Sequence, residues 1–458
     1  MYQYKGFEDT IAAIITPAGT GGVGIVRLSG ADAFAVLARV FTARDGTQPS
    51  AWPGFSVHYG RVTTGAGDVV DEALAAVMRA PKSYTREDVA EISCHGGPAA
   101  VRAVLELCLE NGARLAQPGE YTKRAFLNGR IDLAQAEAVM DVINARTDAA
   151  LRAGERQLKG ELSTELDAVR QALLNALAGI EAVLNFPEDD TDQGQAAALR
   201  DDLAAARGRI EALLATAKSG RILKEGIKVV ICGKPNVGKS SLLNALLRAP
   251  RAIVTDVAGT TRDVLEEAAN INGIPVNLVD TAGILAPRDK IEEEAVRRSR
   301  AAVESADIVL LVLDGSRPPE AVDRVLAAEI RNPHTIHVRN KADLPAAEGH
   351  GAHARTVNIS ALTRLGLEEL KAAMITLACD GAACDTRGVI LNDIRHVDAL
   401  RRAGEALVRA VDALRDKVPP EFAAEDLKLA VNELDAITGR NVDEDVLERI
   451  FSGFCIGK

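Results

Sequence analysis

Through about residue 120 the hydrophobic pattern mixes two periods. Val23-Gly24-Ile25-Val26-Arg27-Leu28 and Val89-Ala90-Glu91-Ile92-Ser93-Cys94 read as short strands bounded by glycines. Residues 31–41 and 99–110 read as helices, the second stopped by Asn111-Gly112. Together they predict a compact α+β module. From Leu133 the texture turns to alanine-rich helix, and Leu162, Leu166, Val169, Leu173, Leu177, Ile180 and Leu184 form a sustained helical stripe. Asn185-Phe186-Pro187 breaks it, since proline cannot continue the hydrogen-bond ladder. The acidic run Glu188-Asp189-Asp190 reads as a solvated loop rather than a metal site. A second helix, 196–218, is expected to end at Ser219-Gly220.

Between Gly226 and about Ala378, apolar runs alternate with helices: Ile227–Cys232, 276–280, Ile308–Asp314, Thr335–Asn340 and 356–360. Strands alternating with helices predict a parallel sheet covered on both faces. The pattern turns helical again after Asn392, most clearly over 425–438 and 443–451. An α/β unit between two helical stretches is economically read as an insertion into one helical domain.

The length of 458 residues agrees with about three domains. A net charge of −11 excludes a globally basic nucleic-acid coat, though not a local basic face. With only 3% aromatics and one tryptophan, Trp52, the chain lacks the material for stacked single-strand platforms. No stretch approaches the ~20 apolar residues of a membrane span. The start, Met1-Tyr2-Gln3-Tyr4-Lys5, lacks the layout of a signal peptide. Six cysteines without CxxC spacing fit a reducing, cytoplasmic setting better than a disulfide framework or a zinc site.

The chemistry enters with Gly233-Lys234-Pro235-Asn236-Val237-Gly238-Lys239-Ser240, a G-x-x-x-x-G-K-S sequence between a strand and the helix opening near Ser241. Its glycines let the backbone curl so that the amides of the loop and of the helix N-terminus face anionic oxygens. Lys239 can reach the β- and γ-phosphates and the Ser240 hydroxyl can bind Mg²⁺. Gly259-Thr260-Thr261-Arg262-Asp263 then offers a second hydroxyl for Mg²⁺, Thr261, on a loop able to respond to the γ-phosphate. Asp280-Thr281-Ala282-Gly283 puts a carboxylate near the metal and the Gly283 amide near the γ-phosphate. The carboxylate of Asn340-Lys341-Ala342-Asp343 can accept from N1–H and the 2-amino group of guanine, which adenine cannot offer, and Ser360-Ala361-Leu362 supplies a backbone contact to the base oxygen. Five motifs in this order, each closing a strand, read as a GTPase rather than an ATPase, with Asp343 deciding between them. Small GTPases often carry a water-orienting glutamine after the glycine, where this chain has Ile284. Glu292 is the candidate in its stead, and its alternative reading is an acidic residue of a helix's first turn.

With these residues the chain resembles the MnmE (TrmE) family of bacterial tRNA-uridine modification GTPases over essentially its whole length. The resemblance also rests on Gly21-Gly22-Val23-Gly24-Ile25-Val26-Arg27, His95-Gly96-Gly97-Pro98, Pro118-Gly119-Glu120-Tyr121 and Arg124-Ala125-Phe126-Leu127-Asn128. Leu133-Ala134-Gln135-Ala136-Glu137-Ala138 and Cys455-Ile456-Gly457-Lys458 complete it. It implies a multidomain α/β plus all-α architecture: an N-terminal α+β folate-binding and dimerising domain over 1–124, a helical domain in two halves, 125–220 and 380–458, and an inserted Ras-like P-loop G domain, 221–379, with a doubly wound, mostly parallel sheet.

The resemblance further implies GTP contacts from Asn236, Val237, Gly238, Lys239, Ser240 and Ser241, and from Thr255, Asp256, Val257, Ala258, Gly259, Thr260 and Thr261. Asp280, Thr281, Ala282, Gly283, Asn340, Lys341, Asp343, Ser360 and Ala361 complete that set. It implies Mg²⁺ on Ser240 and Thr261, K⁺ held by Asn236, Thr255, Val257 and Thr260, and activation by G-domain dimerisation. Lys239 and Glu292 are its catalytic positions. The 5-formyl-tetrahydrofolate site falls on Arg27, Glu91, Arg130 and Lys458, with Arg130 where some relatives have lysine, and Leu285 stands where many relatives carry arginine. Cys455 has two readings, a contributor to the modification chemistry or a small apolar residue under the tail, and His95 reads as a strand-end structural residue. The implied partners are a second copy of the chain, the FAD-dependent MnmG (GidA) and tRNA, with modification at carbon 5 of the wobble uridine. The rival is a regulatory or ribosome-assembly GTPase that binds RNA without modifying it.

Overall fold

The computed structural model describes residues 8–185, 193–247, 266–280, 300–351, 353–379, 388–416 and 418–458. They fall into two compact units, Met1–Met140 with Val431–Lys458, and Asp141–Ala430.

The first unit is built on a seven-stranded sheet. Its strands are β1 (Ile11–Ile14), β2 (Val23–Ser29), β3 (Phe41–Ala43), β4 (Ser56–Thr63), β5 (Val69–Met78), β6 (Val89–His95) and β7 (Arg114–Leu115), in the order β3-β4-β5-β6-β2-β1-β7. Helices α1 (Ala33–Val40) and α2 (Pro98–Glu110) cover one face, where Val26, Leu28, Leu37, Ile92 and Val104 form the core. The alternation that turns Val26 and Leu28 inward turns Arg27 to the opposite face, and the β2–β6 register sets Arg27 directly across from Glu91. On that face Tyr121, from α3 (Glu120–Leu127), packs with Ile11 and Ala13. Trp52 is buried in the α1 and α2 core and stacks on His58, so the single tryptophan is a packing residue.

The second unit carries a six-stranded sheet of β8 (Ile227–Cys232), β9 (Glu266–Ile271), β10 (Ile274–Asp280), β11 (Ile308–Asp314), β12 (Thr335–Asn340) and β13 (Thr356–Asn358), in the order β13-β12-β11-β8-β10-β9. All pairings are parallel except β9 with β10. Central β11 is buried along its whole length, with Leu310 and Val312 in the core of one face and Val309, Leu311 and Leu313 in that of the other. Burial on both sides is why this strand reads as an unbroken apolar run. Strand β9 is absent from the expectations above. It is an edge strand poor in large apolar residues, joined to β10 by Asn272-Gly273, both at positive φ (54° and 87°), as a two-residue hairpin turn requires.

The helices of this unit include α5 (Asp148–Leu158), α6 (Glu161–Asn185), α7 (Gln193–Ala215) and α8 (Ala217–Glu225), following α4 (Leu133–Asn144). Leu162, Leu166, Val169, Leu173 and Ile180 of the expected stripe are buried. Ser219-Gly220 does not end a helix: Gly220 lies buried within α8, where a Cβ would collide with the Leu391 carbonyl. The chain instead breaks at Thr216, whose hydroxyl donates to Leu213 O and accepts from the Leu391 amide, and stops at Gly226, with φ +83°.

Cys94, Cys108, Cys232 and Cys455 are free thiols. Burial pushes the Cys108 and Cys232 thiols up to about 12, which leaves them chemically inert. Cys379, at the C-terminal end of α11 (Leu367–Ala378), is buried in the core of the six-stranded sheet, and Cys384 lies outside the described residues. Among the described residues, no helix is long and apolar enough to cross a membrane.

Candidate nucleotide and folate sites

The first site grows from the carboxyl ends of β8, β10, β11 and β12, where open parallel sheets bind ligands. Between β8 and α9 (Lys239–Leu247) the chain curls through Gly233 (φ +148°), Asn236 (φ +64°) and Gly238 (φ +97°). Lys239 folds back over this loop, its Nζ donating to Gly233 O at 2.9 Å and Lys234 O at 3.0 Å. Its half-burial holds its pKa below the ordinary lysine value, against the opposing pull of Asp280. The ammonium is thus poised above the loop with only backbone carbonyls to leave. Ser240 and Ser241, in the first turn of α9, expose their side chains to solvent.

Asp280 ends β10 beside β8, in register with Ile231. Its Oδ1 is buried and has no hydrogen-bond partner among the described residues. A buried carboxyl oxygen in that condition suits a bound cation or a metal-bound water, so the residues present fit Mg²⁺ held by Ser240 and supported by Asp280.

Asn340, at the end of β12 and almost fully buried, joins the phosphate loop to the loop after β13. Its Nδ2 donates to Val237 O at 2.8 Å, and its Oδ1 accepts from the Ala361 amide at 2.9 Å. Ser360 is fully buried, and its hydroxyl accepts from the Thr363 amide at 3.1 Å. Lys341 sits at φ +67° with its Nζ 2.7 Å from Asp314 Oδ2. Asp314 also accepts from the Ser316 amide and hydroxyl; burial works to raise its pKa, but Lys341 and Ser316 outweigh it and hold the carboxyl below its usual range. Asp343 is exposed, its carboxylate open to a ligand.

The second site lies on the sheet face of the first unit opposite α1 and α2. Arg27 Nε contacts Glu91 Oε1 at 2.8 Å, and the guanidinium lies near the rings of Tyr84 (5.6 Å) and Tyr121 (5.5 Å). Tyr121 donates its hydroxyl to Arg27 O. Arg130 stacks over Tyr84 from 4.7 Å and donates to its carbonyl. The Lys458 carbonyl accepts from the Tyr121 amide, and burial, with Arg27 adding to it, lowers the Lys458 ammonium pKa. The side chain of Cys455 is exposed, while its carbonyl accepts from the amides of Gly119 and Lys458. Two arginines, a lysine, a carboxylate and two tyrosine rings thus converge, a set that suits a flat, polar, anionic ring system.

Comparison with known proteins decides the family. A family model described as the MnmE helical domain matches residues 133–455, and one described as the GTP-binding protein TrmE N-terminus matches 10–130. Proteins named tRNA modification GTPase MnmE from Roseiflexus sp. (strain RS-1) and Geobacter sulfurreducens are each 47% identical to this chain. The first is matched over 99% of this chain and 100% of its own, the second over 98% and 99%. The chain belongs to the MnmE family of GTPases. The namesake from Levilactobacillus brevis is 44% identical over 98% of both chains.

Of the residues that the MnmE resemblance singles out, Asn236 to Ser241, Asp280, Asn340, Lys341, Asp343, Ser360 and Ala361 lie at the carboxyl edge of one sheet. Arg27, Glu91, Arg130 and Lys458 gather around Tyr84 and Tyr121. Thr255, Asp256, Val257, Ala258, Gly259, Thr260, Thr261, Thr281, Ala282, Gly283, Ile284, Leu285 and Glu292 lie outside the described residues. His95 ends β6 in the open, its Nδ1 2.7 Å from Asp71 Oδ1 and its amide on Oδ2 of the same carboxylate; that hydrogen bond raises its pKa. Sequence reasoning missed Asp314 and Tyr84. The first is marked by its place as the polar residue closing an apolar run, whereas nothing local marks the second.

Proposed function

We propose that this MnmE-family GTPase couples Mg²⁺-dependent, K⁺-assisted GTP hydrolysis to modification of tRNA at carbon 5 of the wobble uridine. A tetrahydrofolate derivative held by Arg27, Glu91, Arg130 and Lys458 supplies one carbon, and the FAD-dependent MnmG (GidA) is the partner. The observation that carries the guanine-nucleotide part is Asn340, which holds the Val237 carbonyl and the Ala361 amide at once and so ties phosphate grip to base reading.

In this reading Lys239 binds the β- and γ-phosphates, the amides of 238–241 cradle them, and Ser240 with Thr261 holds Mg²⁺. The metal supplies charge neutralisation across the phosphates. Asn236, Thr255, Val257 and Thr260 hold K⁺, and Glu292 orients the water. The relatives' printed name, tRNA modification GTPase, supports the tRNA role. The domains run over 1–124, 125–220 with 380–458, and the inserted 221–379. The chain works in the cytoplasm as a homodimer. Tyr59 and Leu74, cross-strand neighbours on β4 and β5, together with Val57, are exposed and supply an apolar sheet face that supports self-association.

The test measures GTP turnover in K⁺ and in Na⁺, and folate binding to the whole protein, for the wild type and Arg27→Ala. The expected result is turnover in K⁺ with little in Na⁺, and folate binding that Arg27→Ala reduces by at least about 100-fold. That reduction corresponds to loss of a charge-assisted hydrogen bond together with stacking area. No folate affinity in the wild type would favour the RNA-binding GTPase without modifying activity. Separately, Asp343→Asn is expected to move preference from GTP towards xanthosine triphosphate, because the amide offers a donor where guanine also presents one. Competition binding checks this, and unchanged GTP selectivity would remove Asp343 from its role.

A further inference from the structure

Lys234 is the one charged side chain of the phosphate loop besides Lys239, and it turns away from where phosphates would sit. Its Nζ lies 3.0 Å from Asp323 Oδ2 and 3.0 Å from Glu320 Oε1. Both acids open α10 (Ala321–Glu329), and Asp323 also caps that helix by accepting from the Glu320 amide at 2.9 Å. Asp323 is 5% exposed, and its Oδ1 is buried without a partner among the described residues, while its Oδ2 takes both the Lys234 ammonium and the Glu320 amide. The Lys234 side chain is itself mostly buried.

The backbone of Lys234 carries the consequence. Its carbonyl, with that of Gly233, accepts the Lys239 ammonium, so the loop's first half sets the place of the phosphate-binding cation. A loop residue whose side chain is held in a mostly buried ion pair at a helix cap moves its backbone less freely, because a large shift would stretch or break that pair.

We propose that the Lys234–Asp323 pair is a positioning element for nucleotide binding: it braces the first half of the phosphate loop against α10 and so holds the Lys239 ammonium in place. The inference rests on the reading of 233–240 as the GTP phosphate loop. The pair touches no reacting atom. It acts through Lys239 on the cradle shared by di- and triphosphates, so its loss weakens GTP and GDP alike, and turnover of bound GTP falls only as far as the Lys239 ammonium is displaced.

The test compares the whole protein with Lys234→Met, Asp323→Asn, the double variant and Lys234→Arg. It measures Kd for GTP and GDP, KM and kcat, and thermal midpoint. Asp323→Asn keeps an oxygen for the helix cap. Each single variant is expected to raise Kd for both nucleotides about tenfold, and KM with it, while any fall in kcat stays smaller than the loss of affinity. The double variant should match either single one, because they remove the same pair. Lys234→Arg should stay near the wild type. In the double variant the thermal midpoint should recover, since no unpaired buried carboxylate remains, while the affinity does not. Recovery of affinity along with stability would reduce the pair to charge balance and overturn the proposal, as would a hundredfold additive loss or a loss confined to kcat. A wild type that binds no guanine nucleotide would instead overturn the GTPase-site reading. A wild type that binds, with variants that bind equally well, would overturn the brace alone.

Discussion

Gly238→Ala is expected to abolish useful GTP affinity, raising Kd by at least about 100-fold. Two physical effects act together. Gly238 sits at φ +97°, where an L side chain is strained. A Cβ built there would also collide with the side-chain amide of Asn340. Asn340 has nowhere to go: it is 3% exposed and spends both ends of its amide on the Val237 carbonyl and the Ala361 amide. Displacing it strands buried backbone groups at about 1–3 kcal/mol each, so ~3 kcal/mol is a modest sum for the whole change. At 1.4 kcal/mol per decade that exceeds two decades of affinity. Both halves of the site move, because the same amide links the phosphate loop to the loop carrying Ala361. Calorimetric titration of GTP into the variant checks it. Affinity within a few-fold of the wild type would mean that the loop and Asn340 relax at little cost.

That linkage marks the boundary between what the residues announce and what only packing reveals. The strands Ile227–Cys232 and Ile308–Asp314 are legible because a parallel strand buried on both faces is apolar nearly throughout, and Thr335–Asn340 because Ile336 and Val338 alternate with polar residues on its less buried face. The phosphate loop is legible because its glycines and Lys239 are demanded by local backbone geometry. Edge strand β9 is not, since one side needs no core and its hydrophobic signal is thin; its Asn272-Gly273 turn is the stronger clue. Gly220 misleads for a related reason. A glycine near a helix end signals a stop when it is free to turn left-handed, but here its missing Cβ admits the Leu391 carbonyl from 171 residues further along the chain. Lys234, Asp314 and Tyr84 do their work through partners distant in sequence, and no local period encodes such a pairing.

Arg124 belongs to the same class, and its removal is expected to produce the largest loss of stability. The side chain is fully buried. Its guanidinium meets Asp9 Oδ1 at 2.7 Å, Glu120 Oε1 at 2.9 Å and Glu87 Oε1 at 3.2 Å, and donates to Asp9 O at 3.0 Å. Arg124→Ala leaves carboxylates in a buried setting with less to balance them, although Arg114 stays on Glu120 at 2.7 Å. Removing one partner of such a cluster costs about 3–5 kcal/mol.

The pH dependence separates lost charge from lost packing. Burial works to raise the Glu120 carboxyl, but hydrogen bonds from Arg114, the Gln117 amide and Arg124 outweigh it, so its folded pKa lies below the unfolded value. Asp9 is lowered in the same sense: desolvation opposes the shift, and Arg114 and Arg124 overcome it. A carboxyl lowered on folding contributes stability that is present above its unfolded pKa and is lost as pH falls through the folded value. In Arg124→Ala part of that contribution is already gone. The difference from the wild type should therefore be full near pH 7 and shrink as the pH falls through about 4. Denaturant titrations at several pH values measure it. A deficit constant with pH would assign the loss to packing alone, and a deficit under about 1 kcal/mol would show the cluster to be dispensable. Arg124→Lys should fall between the two, because an ammonium keeps the charge but cannot present the planar fork that meets three carboxylates at once.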